Sequence, residues 1–266
     1  MRILSGFKQL MSKDIDAVLK GWEYAPTELR VRKIDGKDGR SKVQIRMDLG
    51  LMQLEWTGRP DASQPHGCTS LLDYYQGKCR NSVGEGEGFS LSRQDCWALA
   101  QEAMQYYWRR ISFFELKEYG RAEEDAEHNL AILDMCQEFA EHEEDQEIAR
   151  QYRVFVKAHR IQARALGLLE SKDYDGALTQ IREGIQDIEE TLERQGQFDQ
   201  MEESPELRWL REWETEVEST RPRSLEEQLS EDLQAAVEQD KFELAASLRD
   251  RLRVLRIDSP TKRRGL

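Results

Sequence analysis

The chain has 266 residues, 34% of them charged and 38% hydrophobic, and a formal net charge of −13. No stretch approaches the roughly 18 uninterrupted apolar residues of a membrane span, and Met1-Arg2-Ile3-Leu4-Ser5-Gly6 lacks the apolar core and cleavage site of a signal peptide. Net acidity opposes indiscriminate binding to nucleic acid or anionic lipid, and four cysteines are too few for a disulfide scaffold, so the expectation is a mainly α protein of a reducing cytoplasm with no membrane partner.

In chain order, Phe7, Leu10, Met11, Ile15, Val18 and Leu19 fall at helical spacing, and Gly21 is a stop, which predicts a short amphipathic helix over Phe7 to Lys20. The period then changes. Leu29 and Val31 alternate with arginines, Gly36-Lys37-Asp38-Gly39 supplies a turn, and Val43, Ile45, Met47 and Leu49 alternate with polar residues, a β-hairpin pattern. After Gly50 the apolar phase moves to Met52, Leu54 and Trp56, as a bulge or a break between strands requires. So small a sheet needs helices to pack on. From Glu28 to Arg46 seven basic residues outnumber three acids, whereas Arg121 to Glu147 holds eleven acids and a single arginine; both runs read first as solvated surface.

Thr69 to Tyr75 predicts a short helix. Asn81 to Gly88, with Gly84-Glu85-Gly86-Glu87-Gly88, predicts a flexible linker. It is no phosphate loop, because two glutamates would face the phosphate and no lysine follows. Four long helices are expected next, at Ser92 to Leu116, Gly120 to Glu141, Glu143 to Ser171 and Tyr174 to Arg194, with Ser92 as an N-cap and Leu99, Phe113, Leu130, Leu133, Phe155, Leu168, Leu178, Ile181 and Ile185 as core. Two connections share one design, Lys117-Glu118-Tyr119-Gly120-Arg121-Ala122 and Lys172-Asp173-Tyr174-Asp175-Gly176-Ala177: an aromatic residue starts each helix and a small alanine lies one turn inside. This resembles the tetratricopeptide repeat, although the alanines are 55 residues apart rather than about 34. The resemblance implies antiparallel helical hairpins with a surface for a peptide or protein.

Gln197 to Ser224 reads as an acidic tether with one short helix, Pro205 to Val217, carrying Leu207, Trp209, Leu210 and Trp213. The last segment is the most specific. Leu225-Glu226-Glu227-Gln228-Leu229, Ala235-Ala236-Val237 and Asp240-Lys241-Phe242-Glu243-Leu244-Ala245-Ala246-Ser247-Leu248-Arg249-Asp250-Arg251-Leu252 resemble the UVR motif of the UvrB and UvrC excision-repair proteins. Two antiparallel helices fit, with Leu229, Leu233, Ala236 and Val237 on one stripe, Ala245, Leu248, Leu252 and Leu255 on the other, and Phe242 closing the turn. In the proteins it resembles, the motif is a protein contact, so the resemblance implies interaction and no chemistry. Leu229, Leu233, Val237, Phe242, Ala245, Ala246, Leu248, Arg249, Asp250, Leu252 and Leu255 are the expected partner contacts, and the expected partner is another UVR hairpin or a second copy.

The resulting map is an α+β module over 1–80, a linker over 81–91, a TPR-like helical domain over 92–196, a tether over 197–223, a UVR hairpin over 224–256 and a basic tail over 257–266. No Gly-x-x-x-x-Gly-Lys-Ser/Thr loop and no Gly-Ile-Tyr nuclease signature is present. No catalytic residue, cofactor or metal is expected: the cysteines form no close pair, so His66, Cys68, Cys79 and Cys96 do not read as zinc ligands, and His128, His142 and His159 read as solvated helix residues. The leading reading, with the resemblance to bacterial repair proteins behind it, is a non-enzymatic adaptor of a bacterial cytoplasm. One alternative is a DNA-repair accessory touching phosphate through Arg30, Arg32, Lys33, Arg40, Lys42 and Arg46. A second is an N-terminal enzyme using Asp48, Glu55 or His66.

Overall fold

The computed structural model describes residues 14–85, 88–197, 203–223 and 225–258. It is mainly helical, with one small antiparallel sheet near the N-terminus. Of the expected first helix, only α1 (Asp16–Leu19) is described; Phe7, Leu10 and Met11 lie outside the described residues. Strands β1 (Val31–Asp35), β2 (Ser41–Met47) and β3 (Gly50–Glu55) pair in sequence order. Val43 faces Leu54, and Ile45 lies between Val31 and Met52, so one face is apolar. Met47 pairs with Gly50, which leaves Asp48 and Leu49 as a two-residue turn. Such a turn pairs odd positions with even ones, and this is the physical origin of the phase change after Gly50. It also corrects the reading of Leu49, which sits at the turn tip and is 92% exposed rather than part of the apolar face.

The helices that follow are α2 (Leu71–Glu85), α3 (Arg93–Glu115), α4 (Tyr119–Phe139), α5 (Glu143–Glu170) and α6 (Tyr174–Arg194). Ser92 caps α3 in a capping box with Asp95. Helix α2 runs further than expected and takes in 81–85 of the expected linker. Its first N–H groups, those of Leu71 and Leu72, donate to the buried Glu102 carboxylate at 2.7 and 3.1 Å, and Leu71, Leu72 and Tyr75 join a core with Leu99, Ile132 and Met135. A helix anchored in this way tolerates the glycine that suggested a break.

Successive helices run antiparallel. Arg109 of α3 meets Asp125 while Glu102 meets His128 of α4, Arg153 and Arg164 of α5 meet Asp134 and Glu123, and Lys157 of α5 meets Asp187 of α6. Helices α5 and α6 approach closely at Gly184, where a Cβ would meet Ile161 at 2.5 Å. Both repeated connections close alike. The N–H of Lys117 donates to the Phe114 carbonyl and that of Glu118 to Phe113; Lys172 and Asp173 repeat this with Leu169 and Leu168. Lys117 and Lys172 take left-handed φ values of 57° and 64°, the Schellman geometry usually given to glycine. Ala122 and Ala177 are fully buried.

The sheet shares its core with these helices: Val43, Ile45, Leu54 and Trp56 cluster with Phe113, Ala122 and Ala163. Arg109 fastens the contact, donating to both Asp125 oxygens and to the carbonyls of Glu55 and Gly58. Helix α7 (Pro205–Thr220) buries Leu207 and Leu210 and is tied to α6 by the pairs Arg182–Glu214 and Arg211–Glu189. The short helix expected in the tether therefore begins by docking on this chain's own scaffold. The described residues up to Thr215 form one compact unit, and those from Glu216 form a second. Among the described residues no helix is long and apolar enough to cross a membrane.

Candidate interaction surface of the C-terminal hairpin

The second unit is a hairpin of α8 (Leu225–Glu238) and α9 (Phe242–Asp258). It repeats the scaffold's turn a third time. The N–H of Asp240 donates to the Val237 carbonyl at 3.1 Å and that of Lys241 to Ala236 at 2.8 Å, and Asp240 takes φ 56°. An aromatic residue, Phe242, starts the helix, and Ala245 is buried. The sequence carries the signal: Asp240-Lys241-Phe242-Glu243-Leu244-Ala245 aligns with the two lysine-led turns, with aspartate in the place of the left-handed lysine. Arg221 pairs with Glu227 and Arg223 with Glu231, securing the start of α8.

Leu229, Ala236, Ala245, Leu248 and Leu252 are buried, with Leu233 and Leu255 packed against them. The two stripes expected to meet a partner thus close on each other first. Two expectations are corrected here. Val237 stands beside the packed stripe and is about half exposed, because it lies one residue past the buried Ala236 and so turns away from the seam. Phe242 does not plug the turn; the residue is 67% exposed, since backbone hydrogen bonds close the connection without it. Ala246, Arg249 and Asp250 are exposed, and the last two pair with each other at 3.2 Å.

What the hairpin leaves open is a second apolar set. Leu225, Val237, Leu244 and Val254 are each about half exposed and join Phe242. At the open end of the hairpin a groove of about 700 Å³ is lined by Leu225, Leu229, Val254 and Leu255, with Asp250 and Arg251 beside them. The arrangement offers apolar contact and surface charge.

The residues of the other readings are placed separately. Arg30 binds Glu28 and the Glu23 carbonyl. Arg32 binds Gln44 and lies over Trp22, and Lys33 lies over Trp56. Arg40 and Lys42 pair with Asp38 and Glu55, and Arg46 holds the carbonyls of Trp22 and Gly50. The Arg40 guanidinium beside Asp38 holds that carboxyl down at about 2. Asp48 accepts from the Leu49 N–H, Glu55 is paired as above, and His66 stacks on Tyr74 at 4.0 Å; each of the three is engaged with a different neighbour.

Two histidines expected in solvent are enclosed instead. His128 is stacked on Tyr106 at 3.6 Å and lies 3.0 Å from the Glu102 carboxylate. Burial alone would raise the Glu102 carboxyl, but the hydrogen bonds from His128, Leu71 and Leu72 outweigh it and leave it below its ordinary value. His159 lies against Phe155 and Phe114. Cys96 and Cys136 are buried neighbours; the hydrogen bond between their thiols, and burial after it, pushes the Cys136 thiol up. Among the described residues no group of three or more His, Cys, Asp or Glu side chains is placed to hold a metal ion.

Fold and surface together define a helical scaffold and a separate αα-hairpin that exposes apolar residues at its turn and at its open end. Residues 224–258 match the family model described as the UvrB/uvrC motif, UVR. That motif is known for protein and DNA interaction in repair proteins. No curated protein and no solved structure matches the chain.

Proposed function

We propose that the protein is a non-enzymatic adaptor whose UVR hairpin self-associates or recruits a partner carrying a like hairpin. The observation that carries this reading is that the hairpin completes its own core yet leaves Leu225, Val237, Phe242, Leu244 and Val254 open to solvent. Five large apolar residues exposed on so small a unit favour a covering surface. The nucleic-acid reading has less support, because the six cations assigned to it are each engaged within the chain.

The mechanism is colocalisation: the helical unit is carried to wherever its hairpin is held. Light scattering over a concentration series tests this on the full chain and on a chain ending at Arg223, alongside capture on an immobilised UVR hairpin. Mass that grows with concentration, or capture, in the full chain and in neither case for the shortened one supports the reading. A full chain that stays monomeric and is not captured overturns it.

A further inference from the structure

Arg110 of α3 is fully buried, at 0% exposure, and its Nε, Nη1 and Nη2 have no hydrogen-bond partner among the described residues. Asp125 attracts it, but both Asp125 oxygens are taken by Arg109. The Tyr107 ring, 5.5 Å from the guanidinium carbon, offers only a π face. Across the seam on α5, the Nδ1 of His159 is buried and also unpartnered, and after burial it is the charge of Arg110 that most affects this imidazole. Burial brings Arg110 down to about 10 and His159 to about 4. At neutral pH the first is therefore a cation and the second a neutral ring that can donate one N–H.

Partly exposed rings lie along the same seam. Tyr107 is 6.1 Å from Phe155, Phe155 is 4.3 Å from His159, and His159 is 5.7 Å from Phe114. A planar guanidinium fork with no partner, joined through the rings of Tyr107 and Phe155 to an imidazole whose Nδ1 is also unpartnered, matches an oxyanion. Water would accept its hydrogen bonds without compensating its charge, whereas an oxyanion does both. We propose that Arg110 and His159 form the floor of an oxyanion-binding site between α3 and α5, taking one carboxylate or phosphate group when the rings of Tyr107 and Phe155 rotate aside. The site lies in the helical unit and is independent of the hairpin's role.

Calorimetric titration of the full chain with sodium benzoate and, separately, with inorganic phosphate at constant ionic strength distinguishes a carboxylate on a ring from a bare phosphate. Saturable one-to-one binding of at least one probe is expected, weakened about tenfold or more in Arg110→Met and less in His159→Phe, with both variants keeping the wild-type helical signal. On the wild-type chain alone, one solvent-protected arginine Nε–H resonance should move as that probe is added, which decides the matter if the variants misfold. No saturable binding of either anion, equal affinity in Arg110→Met, or a protected arginine signal that stays in place overturns the proposal.

Discussion

The α3–α4 and α5–α6 connections and the α8–α9 connection are one turn in two settings. All three combine a left-handed residue, two backbone hydrogen bonds to the preceding helix, an aromatic residue at the next helix start and a buried alanine. In the scaffold the aromatic is half-covered: a Cβ on Gly167 of α5 would lie 3.8 Å from that of Tyr119, so the neighbouring hairpin stacks on it. Phe242 holds the same place in its turn and is exposed. Local sequence selects the turn, and the presence of a further helix decides whether its aromatic is core or surface. Ion pairs divide in the same way. Arg109 and Asp125 are 5% and 4% exposed, while Arg249 and Asp250 are 69% and 66% exposed. The first pair is committed to the fold, and the second remains available to a partner.

The largest expected effect comes from that contrast. Arg109→Met leaves Asp125 buried without its cation and strips the donor from the carbonyls of Glu55 at the end of the sheet and Gly58 beyond it, which should destabilise the helical unit by about 3–5 kcal/mol; Arg249→Met should cost under about 1 kcal/mol. Chemical denaturation of both variants measures the difference, and equal losses would erase the distinction between the two units. Next is acid sensitivity. Burial lowers His159 from its ordinary 6.5 to about 4 in the folded chain, so between those values the unfolded chain holds more protons. The stability tied to a neutral His159 is complete above pH 6.5, falls as the pH drops and is lost below about 4, a total of about 3 kcal/mol. Melting temperatures of His159→Leu should therefore decline less than those of wild type across that window. Parallel curves would show that the ring is not held neutral by burial.

The scaffold helices were legible because apolar spacing, the Ser92 cap and the paired aromatic-alanine turns agree with one another. The β-hairpin was legible from alternation. Its second turn reads only as a bulge or a break at Gly50, since alternation cannot say which two residues leave the ladder. The helical course of 81–85 was hidden because glycine was weighed by propensity while the anchor, Glu102, lies far away in the sequence. For the same reason Glu102, Arg109 and Arg110 carry no mark in the sequence, and His128 and His159 read there as solvated: periodicity assigns charged positions to solvent, and only the fold supplies the partners that enclose them. The hairpin was the most legible element as a motif, yet its open face was not. Which apolar residues of α8 and α9 pair with each other depends on the rotation of two helices about their seam.

The smallest stability effect is the sharpest test of the repeated turn. Tyr119→Ser and Phe242→Ser remove an aromatic ring from the same position, and the backbone hydrogen bonds that close each turn survive in both. Tyr119 has α5 beside it, so its loss should cost the helical unit about 1–2 kcal/mol and lower its melting transition. The exposed Phe242 ring contributes little to its own hairpin, and Phe242→Ser should change stability by less than about 0.5 kcal/mol. Its cost should fall on association, which ring burial against a second hairpin would otherwise favour, and light scattering beside thermal melts separates the two quantities. If Phe242→Ser melts as early as Tyr119→Ser, the ring is covered within the chain and the hairpin's open face is not what holds a partner. If association and melting are both untouched, the apolar set acts without its most exposed member, and the contact must centre on the groove lined by Leu225 and Val254.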